Sequence, residues 1–181
     1  MKPGQWGPLI WYLIHSIAFA IDNDDYFIKN RGLYFKFYST LQKIIPCPIC
    51  RNHFNNIMKR KDINNCNTKA SMIDWTISKH NIVNKKLKKT QINRNKADIL
   101  YKKIELSKII KAIDILTFNT QRNLPLHSYK DFFESLRIIF PIPSFRAVYQ
   151  RGMEKNKIKV KNHISLITWY NNLGRYISKN L

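Results

Sequence analysis

Apolar residues recur at helical spacing through most of the chain. Leu9, Leu13 and Ile17, with Ile10, Ile14, Ala18 and Ile21, predict a first helix from Pro8 to Ile21, with Pro8 in its first turn. The run Asp22-Asn23-Asp24-Asp25 follows as its stop. Leu33, Phe37 and Leu41, with Tyr34, Tyr38 and Ile45, predict a second helix from about Asn30, closed by Pro46. Pro48 opens a third helix to about Arg60, with Phe54, Ile57 and Met58 on one side. Lys61 to Ala70 is polar and Asn-rich and reads as a loop. Ser71 to Lys89 reads as a fourth helix, with Ser71-Met72-Ile73-Asp74 as a capping box and Trp75, Ile82 and Leu87 among its apolar positions. A short fifth helix starts near Lys96. Beyond about Leu106 the pattern continues through Ile109, Ile113 and Leu116, then Phe132, Phe133, Leu136 and Ile139. A loop at Thr120 to Ser128 separates the two runs. Pro141-Ile142-Pro143 breaks the pattern, and His163 to Ile177 forms a last amphipathic run. The sequence reads as having no strand-like alternation of any length and no internal repeat, and the expected class is all-α.

Composition changes this picture little. The 181 residues are 44% apolar and 13% aromatic, enough to offset the chain entropy of folding. The formal charge of +21 would suit an anionic partner. Its lysines, however, are spread along the chain among many Ile and Asn, as an A/T-rich coding sequence would give, so a nucleic-acid partner is not required. No apolar run approaches a membrane span. The stretch Leu9 to Ile21, with Ala18-Phe19-Ala20, superficially resembles a signal peptide, but His15, two Trp residues and Pro8 argue against secretion.

The candidate chemistry begins with three cysteines, two of them as Cys47-Pro48-Ile49-Cys50. At a helix N-terminus this spacing puts two thiols on nearly one face, where free N–H groups favour a thiolate. Cys47 is then the exchanging thiol and Cys50 its resolving partner. The same cysteines with His53 and Cys66 would also satisfy a zinc ion, so the CxxC pair alone leaves redox and zinc readings open. Two further groups bear on the choice. Trp11 and His15 stand at i, i+4 on the first helix. His80, Asn81, Asn84, Lys86 and Lys89 gather imidazole, amide and ammonium donors on the fourth. Together they suit a bound molecule with an aromatic ring system and phosphates.

Trp11-xxx-His15, Cys47-Pro48-Ile49-Cys50-Arg51-Asn52-His53-Phe54, Trp75 and His80-Asn81-Ile82-Val83-Asn84-Lys85-Lys86-Leu87-Lys88-Lys89 resemble, in order and spacing, the motifs of the Erv/ALR family of FAD-linked sulfhydryl oxidases. The resemblance covers Trp6 to about Lys103 and outweighs the zinc reading. It implies a four-helix bundle with a short fifth helix, and an FAD-binding oxidase domain over 1–104; residues 105–181 lie outside it, and their apolar helical pattern suggests a further helical region packed on the core or serving dimerisation or client docking. It also implies an enzyme that forms disulfides in protein thiols and passes electrons through the CxxC pair and FAD to oxygen, giving hydrogen peroxide. A zinc-stabilised basic helical module binding nucleic acid, and an inactive structural relative of the oxidase, stand as alternatives. Carried over by position, Gly7, Trp11, His15, His80, Asn81, Asn84, Lys86, Lys89 and Tyr101 contact the cofactor, Cys47 and Cys50 are catalytic, and no metal is expected. His53 and Phe54 orient and pack the active-site helix.

This sequence departs from the family pattern at several points. Ile77 stands where many members begin a structural disulfide, Ile45 where an aromatic is common, and Lys88 where Gly is frequent; no distal CxxC shuttle is present. A core without staple or shuttle is most similar to the forms of large cytoplasmic DNA viruses. That similarity implies a homodimer acting in host cytoplasm and virion on dithiol clients, such as a thioredoxin-like or virion protein.

Overall fold

The computed structural model describes residues 3–58, 62–119 and 126–181, and the predicted ends at Arg60, Lys61 and Thr120 lie outside them. Among the described residues every regular element is helical: α1 (Pro3–Phe19), α2 (Asp24–Ile44), α3 (Pro48–Met58), a 3₁₀ turn (Asp62–Asn65), α4 (Lys69–Lys86), α5 (Arg94–Tyr101), α6 (Leu106–Phe118), α7 (Leu126–Ile139), α8 (Pro143–Lys155) and α9 (His163–Ser178).

Helix α1 is the centre of the molecule. Its apolar positions are too many for one face, and α4 packs on one side of it while α6 packs on another, so Ile10, Leu13, Ile14, Ile17 and Ala18 are all buried. α2 lies along α3 and, most extensively, along α7. The C-terminal helices therefore share one apolar core with the rest of the chain.

Several boundaries differ from expectation for local reasons. α1 begins at Pro3, so Pro8 lies inside the helix rather than in its first turn. Asn23 is the N-cap of α2, its side chain accepting the Tyr26 N–H at 2.8 Å; the Asp-Asn cluster therefore starts a helix as well as ending one. The capping box of α4 is Thr68 with Ser71, and the helix begins at Lys69, two residues before the predicted start. α5 starts at Arg94, capped by Asn93. The predicted Thr120–Ser128 loop is already helical from Leu126. Pro141-Ile142-Pro143 does break the pattern, but Pro143 also opens α8, a helix the periodicity reading passed over.

Candidate functional site

Helices α1, α3 and α4 with the end of α5 enclose a cavity of about 880 Å³, within the range of small-molecule and cofactor sites. Of the residues expected above to be catalytic or to contact the cofactor, Gly7, Trp11, Cys47, Cys50, His80, Asn84, Lys86, Lys89 and Tyr101 line it, as do His53 and Phe54. His15 and Asn81 do not. Trp6, Ile10, Ile14, Val83 and Leu87 also line it and were not anticipated as site residues. Trp6, Ile10 and Ile14 follow one another at i, i+4, and Ile14 lies three residues from Trp11; that spacing was the available signal for the first three.

Cys47 precedes α3, and the N–H of Cys50 donates to its Sγ at 3.2 Å, a helix-start donor aimed at sulfur. Both thiols are half-buried. Burial, then the hydrogen bond to Cys47 and the proximity of that thiol, push Cys50 up to about 12 in the reduced pair. Arg51 donates from Nη1 to the Ile45 carbonyl at 2.8 Å, tying the start of α3 to the end of α2. His53 meets the Lys86 ammonium, joining α3 to α4. Phe54 packs edge-on to Trp11, ring centroids 6.3 Å apart. Cys66 is buried and its thiol donates to the Ser71 carbonyl at 3.6 Å. Among the described residues no group of three or more His, Cys, Asp or Glu is placed to hold a metal ion.

The ring cluster behind the cysteines is fixed by one hydrogen-bond chain. Thr76 spends its hydroxyl hydrogen on the Ile73 carbonyl at 2.7 Å. Its oxygen therefore accepts from His15 Nδ1 at 3.0 Å, which leaves His15 Nε2 to accept from His80 Nδ1 at 3.0 Å. These tautomers follow from the donor count, and they leave His80 Nε2 as an acceptor. Both rings are held neutral. Burial, then His80, lowers His15 well below its usual value. Burial, then the Lys89 charge, brings His80 to about 4. Trp11 stacks on His80 with centroids 4.1 Å apart and planes 4° from parallel. Tyr101 stacks on His15 at 4.1 Å and 10°. His15 thus sits behind the cavity wall as a positioning residue.

Asn81 is committed elsewhere. Its amide donates to the Ile92 carbonyl at 2.8 Å and accepts the Ile92 N–H at 2.9 Å, clamping the α4–α5 loop. Within α4, two residues before Asn81, buried Lys79 pairs with Asp62, which also accepts from Trp75 Nε1 at 2.9 Å. This fixes the segment that follows α3. Lys88, in the position where the resembling motif often has Gly, adopts a left-handed backbone with φ of 53°.

The fit of a flavin dinucleotide can be judged from the donor set. Stacked indole and imidazole offer a flat aromatic surface, apolar Ile10, Ile14 and Val83 surround it, and Lys86 and Lys89 stand on the wall as cations for a pyrophosphate. A Cβ on Gly7 would meet nothing within 4 Å, so the wall is open there. The residues present fit the group.

A helical bundle with a CxxC at a helix start, opening on a ring-lined cavity, is the class of site that couples thiols to a bound aromatic cofactor. The sequence profile of the Erv1 / Alr family matches residues 8–102, and the chain belongs to that family. It is 30% identical over 101 residues to a Frog virus 3 (isolate Goorha) protein named FAD-linked sulfhydryl oxidase, an alignment covering 55% of this chain and 67% of the relative. The FAD-linked sulfhydryl oxidase of African swine fever virus (isolate Pig/Kenya/KEN-50/1950) is 28% identical over 111 residues, 61% of this chain and 87% of the relative. An Acanthamoeba polyphaga mimivirus protein named probable FAD-linked sulfhydryl oxidase is 25% identical over 88 residues, 46% of this chain and 59% of the relative. No solved structure matches.

Proposed function

We propose that this chain is an FAD-linked thiol oxidase that forms disulfides in protein dithiols, with Cys47 and Cys50 as its redox pair. The observation that carries the reading is the placement of both cysteines on the wall of the cavity that Trp11, His80 and Tyr101 also line. In the oxidised enzyme a client thiolate attacks Cys47 Sγ, the Cys47–Cys50 bond breaks, and Cys50 leaves as a thiolate. The second client thiol then displaces Cys47, so the client gains a disulfide and the enzyme holds two electrons as a dithiol. When bound, FAD would supply the acceptor for that electron pair, with oxygen as the final acceptor and hydrogen peroxide as the product.

The chain's own groups prepare these steps. The Cys50 N–H donates toward the sulfur that exchanges with the client. Arg51 holds the Cys47 turn by its bonds to the Ile45 and Pro46 carbonyls. Gly7, Trp11, Asn84, Lys86, Lys89 and Tyr101 are the residues we assign to cofactor contact, with His80 Nε2 accepting from a ligand N–H or hydroxyl. His15 and Asn81 support that surface from behind. Ile49, 68% exposed beside the redox pair, gives an arriving client an apolar contact.

Viral relatives support a role in a viral setting, in host cytoplasm and in assembly of the virion; among the described residues no helix is long and apolar enough to cross a membrane. The test is oxygen uptake by purified protein with a small dithiol. Flavin-bearing protein that consumes oxygen, and loses that turnover on Cys47→Ser or Cys50→Ser, supports the reading. A flavin-free protein, or turnover that survives both substitutions, refutes it.

A further inference from the structure

The two halves of the chain repeat one another. Residues 34–54 and 129–149 align without a gap and are identical at Tyr34 and Tyr129, Phe37 and Phe132, Leu41 and Leu136, Ile44 and Ile139, Pro46 and Pro141, Pro48 and Pro143, and Arg51 and Arg146. Residues 68–87 and 162–181 align likewise, sharing Ser71 and Ser165, Ile73 and Ile167, and Trp75 and Trp169. The match is diluted elsewhere, which is why no repeat stands out in the sequence by itself.

The structure uses these positions in corresponding ways. Arg51 donates to the carbonyl of Ile45 at 2.8 Å, and Arg146 to that of Phe140, which aligns with Ile45, at 2.8 Å. Trp75 Nε1 donates to the Asp62 carboxylate at 2.9 Å, and Trp169 Nε1 donates to the backbone carbonyl of Asn156, at the corresponding point before the cap, at 2.7 Å. α4 and α9 open with the same capping box, Thr68 with Ser71 and Asn162 with Ser165. In each, the serine oxygen also takes the N–H of the residue before the cap, Asn67 at 3.1 Å and Lys161 at 2.9 Å. A polar link joins α1 to α4 through His15 and Thr76, and α6 to α9 through Asp114 and Tyr170.

The halves also meet as symmetry mates meet. α1 packs on α6 and α2 on α7, each helix against its own counterpart. Aligned residues pair with each other where an axis would pass: Phe37 stacks on Phe132 with centroids 5.5 Å apart, and Lys36 Nζ meets Asp131 at 3.4 Å. Off that line the contacts are reciprocal, with Arg146 in electrostatic range of Tyr34 and Arg51 of Tyr129. A self-complementary patch met by its own copy defines a two-fold interface.

We infer that residues 106–181 are a degenerate second copy of the N-terminal unit, docked in cis where the second subunit of a symmetric pair would sit. The copy keeps the interface and has lost the chemistry. Ile142 and Phe145 align with Cys47 and Cys50, and Gly174 and Ser178 with His80 and Asn84. On the proposed function, each such pseudo-dimer then carries one redox centre, and the homodimer implied by the family resemblance is supplied within one chain.

Light scattering on the full chain tests this without reference to flavin or turnover. A mass of 21.6 kDa that holds as concentration rises is expected; a stable mass of twice that would overturn the replacement of a second subunit. Phe37→Ala and Phe132→Ala, made in the full chain, are expected to lower the melting temperature by amounts agreeing within about a factor of two, as truncations of one contact from its two sides. A large loss from one and none from the other would overturn the reciprocity. If a variant fails to fold, the wild-type mass still decides.

Discussion

Acidification should weaken the fold through the His15–His80 pair. His80 has a usual value of 6.5 and is held at about 4 in the folded chain by burial and the Lys89 charge, and His15 is lowered in the same direction. Below pH 6.5 the unfolded chain takes up protons on rings that the folded chain keeps neutral, so stability is lost as pH falls toward 4. The loss levels off once folded His80 also protonates. At about 1.4 kcal/mol per pH unit of separation, His80 alone gives roughly 3 kcal/mol, which its partial exposure to the cavity reduces to about 2. For a chain of this length that is a fall of about 4–8 °C in melting temperature. Thermal melts of wild type and His80→Gln across this range test it, and the variant should lose less stability on acidification. Equal losses in the two proteins would refute the reasoning, because the proton would then be taken up elsewhere.

Lys88→Gly should raise stability by about 1 kcal/mol, since Lys88 pays for a left-handed backbone while its side chain is exposed; an unchanged or lower melting temperature contradicts this. Asp62→Ala strands the Lys79 ammonium, whose side chain is only 2% exposed. Water reaching the vacated site softens the usual penalty, leaving a cost of about 2–3 kcal/mol by urea denaturation, and a shift under about 0.5 kcal/mol would show the pair contributes nothing. Cys66→Ala should leave dithiol turnover unchanged, because that thiol is buried against the Ser71 carbonyl and is pushed up to about 11 by burial and then Asp62. Loss of turnover with the fold intact would give Cys66 a redox role.

What could be read from the sequence was local. The period of apolar residues placed α3 and α9 within a few residues, whereas α2 starts at Asp24, well before the expected Asn30, and proline marked the breaks around α3 and α8. Caps were harder. Thr68 works with a serine where a glutamate would have been recognised, and Asn23 lies in an acidic cluster that reads equally well as a stop. α8 was missed although Phe145, Val148, Tyr149, Gly152 and Met153 are buried at helical spacing, because the flanking prolines drew attention to the break. At the site, most of the residues singled out by type line one cavity, but their types did not indicate each one's place in it. Whether His15 faces a ligand or backs His80 depends on a contact between residues 65 positions apart. Whether Asn81 is free depends on where the α4–α5 loop returns. The repeat was likewise hidden until contacts at aligned positions could be compared.

The central claim is that electrons from a client dithiol pass through Cys47 and Cys50 to a flavin held in the cavity they share with Trp11, His80 and Tyr101. The most direct measurement is the visible spectrum of the purified protein while a dithiol is added without oxygen. The account predicts a flavin band that bleaches promptly in wild type, returns when air is admitted, and fails to bleach at that rate in Cys47→Ser and Cys50→Ser. A protein with no flavin band, or one that bleaches equally fast without either cysteine, would contradict it.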